Sequence, residues 1–194
     1  MPRRLTRCLI ALLGLAAACG GPPERVVTPF TEEHEAVFDN GLDLVRDPDT
    51  LEGAWLGSWE EELDGRITLA DLVLLITVQT VRHDTDLDRR DTYRLHVRVD
   101  EEYLGDVEDE IELVVRQDER GFDSIEGNVR RILDEQFIAF VKWQRDEETG
   151  GVRARWHLSM PTEDVASRTR TLLQQRRDVQ PSDPGRRRVI IRRN

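Results

Sequence analysis

TYRLHVRVDEEY, residues 92–103, alternates apolar and polar side chains: Tyr93, Leu95, Val97 and Val99 fall on one side, Arg94, His96 and Arg98 on the other. A period of two is that of a strand with one face buried and the other in water. Upstream, Ala70 to Val81 is apolar on both faces, Leu72, Leu74, Ile76 and Val78 opposing Val73, Leu75 and Val81, which predicts a central or strongly coiled strand. Downstream, Gly105-Asp106 turns the chain into a strand over 110–117 with Ile111, Leu113 and Val115 inward. An irregular or helical connection, Gly121 to Asp134, carries Ile125, Val129, Ile132 and Leu133 as a core plug. Gln136 to Trp143 reads as a fourth strand, apolar on both faces. After the acidic turn Asp146 to Gly151, Val152 to Met160 reads as a fifth, where Val152, Ala154, Trp156 and Leu158 alternate with Arg153, Arg155 and His157.

Five strands with a helical insertion between the third and fourth predict a mainly β fold, a five-stranded OB-like Greek-key barrel over residues 67–161. Short N-terminal helices and a C-terminal helix flank it. Within 31–66, Thr31 caps a helix carrying Ala36, Val37 and Phe38 on its apolar side and stopped by Asn40-Gly41. Leu51 to Leu63 then places Leu51, Trp55, Leu56 and Trp59 at helical spacing, either a recognition surface or a stripe packed onto its own domain. Over 162–180, Thr162 caps a helix with Glu163 and Asp164 at its positive end, Arg176 and Arg177 at its negative end, and Val165, Leu172 and Leu173 on one face. Residues 19–30 read as a tether and 181–194 as an arginine-rich tail. The order Ala70-Asp71-Leu72-Val73, a long strand ending Tyr103-Leu104-Gly105-Asp106, then Phe137-Ile138-Ala139-Phe140-Val141 resembles, over 69–144, the netrin-like modules typified by tissue inhibitors of metalloproteases. The resemblance implies a barrel. It does not imply protease inhibition, because the animal inhibitors use disulfides and a free N-terminal cysteine.

At the start of the chain, Arg3, Arg4 and Arg7 precede an apolar run from Cys8 through Leu15, too short to span a bilayer as a helix, which takes about 20 residues. Leu15-Ala16-Ala17-Ala18-Cys19 resembles the lipobox of bacterial lipoproteins, with the usual leucine displaced by one place. That resemblance implies a signal peptide over 1–18, cleavage before Cys19 and acylation of its thiol. Each acyl methylene withdrawn from water contributes about 0.8 kcal/mol, so two or three chains make a lasting anchor. Gly20 stands where aspartate favours inner-membrane retention in that family, so the implied address is the outer membrane, facing the periplasm.

The chain has 39 Asp and Glu against 28 Lys and Arg. The positive charge gathers late: residues 162–194 hold nine arginines against four acids, so the body before them is strongly acidic and repels nucleic acid. With Cys8 removed and Cys19 acylated, no disulfide remains, and stability must come from packing. Asp84, Asp86, Asp88 and Asp91 sit in the first hairpin loop, where an oxygen cluster could hold calcium. An EF-hand begun at Asp84 would need glycine at Arg89 and glutamate at Leu95, and Arg89 and Arg90 neutralise the cluster, which favours a plain solvated loop. His34, His83, His96 and His157 lack zinc-ligand spacing and read as surface histidines, His96 and His157 being placed to meet on the outer face of adjacent strands. In the tail, Arg186, Arg187, Arg188, Arg192 and Arg193 bracket Val189-Ile190-Ile191. They suit phosphates, lipid heads or an acidic partner, or else form an edge strand or disordered tail that offsets the body's charge. No nucleophile elbow, phosphate loop or His-Glu-x-x-His occurs, and no cofactor is implied. The expectation is a non-catalytic, lipid-anchored envelope protein that presents a β-barrel to a protein partner. The alternatives are a ligand- or calcium-binding lipoprotein and, more distantly, a hydrolase.

Overall fold

Leu72–Thr85 (β2) and Asp91–Leu104 (β3) are the longest strands and pair antiparallel along almost their full length. The computed structural model that shows this describes residues 27–107, 109–146 and 150–179. Beyond β3 lies β4 (Glu110–Arg116), and on the other side of β2 come β5 (Gln136–Arg145) and β6 (Val152–Ser159). A two-residue strand, β1 (Gly41–Leu42), pairs parallel with β6 at His157 and Leu158. The sheet order is therefore β1-β6-β5-β2-β3-β4. The expected mainly β body forms, but not as a five-stranded barrel: among the described residues the sheet has six strands, and β4 does not pair with β6, so the sheet curls into a half-barrel with an open seam. The curl follows from β2, whose register slips at Val73/Leu74, Leu75/Ile76 and Val78/Thr80, and bulges of this kind bend a strand and increase its twist.

Both faces of the sheet are covered, which explains why β2 and β5 are apolar on both sides. Leu74, Ile76, Leu95, Leu113, Phe137 and Trp156 fill the inner face, plugged by Phe122, Ile125 and Ile132 from the short helices α3 (Phe122–Glu126) and α4 (Val129–Ile132). On the outer face Val73, Ile138 and Phe140 meet α1 (Glu32–Val37), α2 (Ala54–Leu69) and α5 (Glu163–Val179) through Phe38, Leu63, Ile67, Val165 and Leu173. Thr162 caps α5 as its sequence predicts, its Oγ1 accepting the Val165 N–H at 3.2 Å. The tryptophan stripe of α2 does not pack as one: the helix runs on to Leu69 and buries Leu63, Arg66 and Ile67, leaving Trp55 80% exposed.

Two glycines bring β1 against the start of α3. A β-carbon on Gly121 would lie 2.2 Å from the Gly41 nitrogen, and one on Gly41 would lie 2.8 Å from the Gly121 Cα. Across this contact the Gly121 N–H donates to the Asp39 carbonyl at 2.9 Å and the Leu42 N–H to Ser124 Oγ at 3.1 Å. Residues 39–43 thus form a strap from the β4–β5 connection to the last strand.

Candidate functional site

The open seam is the best-formed concavity, a cavity of about 380 Å³ between β4 on one side and β5 and β6 on the other. Its apolar surface comes from Ile111, Leu113, Val141, Trp143, Val152 and Ala154. The outer edge of β4, and Val152 to Arg155 on β6, make no ladder bonds across it. One side chain bridges the interior: the Trp156 indole N–H of β6 donates to the Val114 carbonyl of β4 at 3.0 Å.

A buried charged knot closes one corner. Glu119 Oε2 accepts the Asn40 side-chain amide at 2.8 Å and the Arg116 backbone N–H at 2.9 Å. Its Oε1 accepts Arg155 Nη1 at 2.8 Å and Arg153 Nη1 at 3.4 Å. Four donors keep a carboxylate in place where it is only 9% exposed. Burial pushes the Arg155 guanidinium down and the Glu119 charge opposes that. Asn40 itself sits at φ 60°, donates its backbone N–H to the Trp156 carbonyl at 2.8 Å, and accepts the Trp156 N–H on its own Oδ1 at 2.9 Å. It carries the β1 pairing one residue further along β6, as a strand residue would.

A second polar cluster lies across β6, and it corrects the reading of His157 as a surface residue. The ring is buried because the strap covers this end of the sheet: Nδ1 lies 2.8 Å from Asp39 Oδ1 and Nε2 lies 3.4 Å from Asp43 Oδ2. Ser159 Oγ donates to Asp43 Oδ2 at 2.7 Å, and Arg66 Nη1 stands 3.6 Å from the same oxygen. Arg66 is held by Glu62 at 2.6 Å and by the Val37 carbonyl at 3.2 Å. Burial acts on both carboxyls to raise them, but the His157 bonds and the Arg66 charge outweigh it and hold both below the usual carboxylate range. The serine is bonded to a carboxylate and not to the imidazole, so the cluster lacks the nucleophile–base contact of an acyl-transfer triad.

His96 and His157 do not meet, because β5 and β2 stand between their strands; His96 Nε2 faces Glu112 at 3.2 Å instead. The hairpin aspartates are spent on protein donors. Asp86 accepts the backbone N–H groups of Asp88 and Arg90 and the Arg90 side chain, Asp88 also meets Arg90, Asp84 pairs with Arg94 at 2.9 Å, and Asp91 takes Thr85 at 2.7 Å and His83 at 3.0 Å. Among the described residues no three His, Cys, Asp or Glu side chains gather as a metal site. Cys19 and Arg186, Arg187, Arg188, Arg192 and Arg193 lie outside the described residues. Among those described, no helix is long and apolar enough to cross a membrane.

The knot around Glu119 has almost no signature in the sequence. Its one sequence signal is charge matching, with Arg153 and Arg155 at alternate positions of β6 needing a carboxylate from elsewhere. No family model matches this chain, and no curated protein matches it either.

Proposed function

We propose that this chain is a lipid-anchored envelope protein, held by acylated Cys19 at the periplasmic face of the outer membrane, whose half-barrel receives an extended peptide of a protein partner in the open seam. The observation that carries this reading is the pair of unladdered edges, β4 and the first half of β6, on either side of an apolar floor. An extended segment laid between them gains main-chain hydrogen bonds from the edges and seats alternate side chains on Ile111, Trp143 and Val152. The connectivity supports it. β2, β3 and β4 in succession, with β5 beside β2 and β6 beyond it, is the order of an OB barrel opened between its third and fifth strands, where one added strand completes the circuit. The partner segment is therefore aliphatic at alternate positions.

The test uses the full chain in living cells with a photo-reactive benzoylphenylalanine at Ile111 or at Val152. Both edges capture the same polypeptide, and a synthetic copy of the captured segment slows hydrogen exchange at the seam-facing amides of β4. Different adducts from the two edges, or no more adduct than from the same probe at exposed Glu61, would overturn the reading. The anchor is checked separately: Cys19→Ala removes labelling by a palmitate analogue and releases the protein from membranes.

A further inference from the structure

On the opposite, helix-covered side of the molecule, α2 and α5 lie side by side with the turn at Pro48–Thr50 across one end, enclosing a groove of about 530 Å³. Leu56, Trp59 and Leu172 line its floor, and the Trp59 indole N–H finds no acceptor among the described residues. Its rim is acidic: among the described residues, Asp49, Glu60, Asp64 and Asp164 stand against a single cation, Arg168. Arg168 is already committed, bonded at both ends to Asp64 and at 3.0 Å to Glu60, so it leaves Asp49 and Asp164 to attract charge from outside. Trp55, one turn before Trp59, stands 80% exposed beside this groove's end of α2.

We propose that this groove is the docking site of the chain's own arginine-rich segment, residues 186–194. Charge and apolar pattern both fit: Arg186-Arg187-Arg188 and Arg192-Arg193 bring five cations to an acidic rim, and Val189-Ile190-Ile191 between them matches the floor of Leu56, Trp59 and Leu172. The reach fits as well. α5 ends at Val179, about 12 Å along the helix from Thr171 in the groove wall. Six residues, 180–185, lead from there to Arg186 and span up to about 20 Å when extended. Pro181 and Pro184-Gly185 are turn formers, which is what a chain needs to fold back along the helix it has just left. Guanidinium groups also stack on indole faces, so the tryptophans Trp55 and Trp59 favour arginine over lysine as the docked cation. The site is separate from the seam on the other face, so this inference stands or falls independently of the function proposed above.

The experiment places benzoylphenylalanine at Ile190 of the full chain, irradiates the purified protein at low concentration and maps the adducts by mass spectrometry. The expected product is an intrachain adduct to residues 54–64 or 164–172. It falls to background in a chain carrying Arg186→Glu, Arg187→Glu and Arg188→Glu, and it weakens in about 1 M salt, where the screening length drops to about 3 Å. Thermal melts of the two chains confirm that the body stays folded. Adducts scattered over the surface, adducts only between chains with a yield that climbs with concentration, or an undiminished groove adduct in the charge-reversed chain would each overturn the assignment.

Discussion

At the scale of single residues, the buried charges matter most because each is held by several partners at once. Glu119 takes four donors, and replacing it by alanine strands Arg155 and the Asn40 amide without their acceptor. Breaking one side of a buried ion pair costs about 3–5 kcal/mol, so Glu119→Ala is expected to lower the urea midpoint strongly and Glu119→Gln to lower it less. Asp39 and Asp43 contribute to the response to acid. Their carboxyls are depressed in the folded protein, so the unfolded chain binds protons more readily and stability falls as pH falls. Their contribution is complete above the ordinary aspartate value of about 4 and is lost as pH drops through the lower folded values. Denaturation from pH 7 down to pH 2 should therefore show a flatter acid limb in Asp43→Asn than in the parent chain.

At the scale of elements, what periodicity can report was legible and what it cannot report was not. β3 and β6 were readable because alternation over many residues leaves little room for another structure, and α5 because its cap and end charges agree with its face. β1 was invisible: two residues have no period, and Asn40-Gly41 carries the signal of a helix stop whether or not a strand follows. The α2 stripe misled because helical spacing identifies a face without saying which turns meet the sheet. Two glycine substitutions test the packing in opposite directions. Gly121→Ala pushes a β-carbon into the backbone of Gly41 and should destabilise by about 1–3 kcal/mol, the cost of overpacking, as read by thermal melting. Gly57→Ala, inside α2 with nothing within 4 Å of the added carbon, should stabilise by about 0.5–1 kcal/mol.

At the scale of the whole molecule, a mainly β body can be read from the residues and its closure cannot, because closure depends on whether two edges distant in the chain come within bonding distance. Trp156 reaches Val114 with its side chain where a sixth ladder would otherwise have to form. Trp156→Phe keeps most of the volume and loses the bridge, leaving the Val114 carbonyl short of a donor. The expected loss is about 1–3 kcal/mol, with faster hydrogen exchange concentrated in β4. The site was hidden for a related reason: alternation in β6 separates Arg153, Arg155 and His157 from Trp156 and Leu158, but it cannot reveal that helices and strap cover the polar side too.

The strap has a further consequence in time. Asn40 is made early yet bonds Trp156 across 116 positions of sequence, so its bonds to that strand cannot form until the last strand has been synthesised and laid down. Closing so long a loop costs entropy before the contact repays it, and the expectation is that this contact forms after the rate-limiting step. Asn40→Ala should accordingly speed unfolding in stopped-flow mixing while leaving the refolding rate near that of the parent chain.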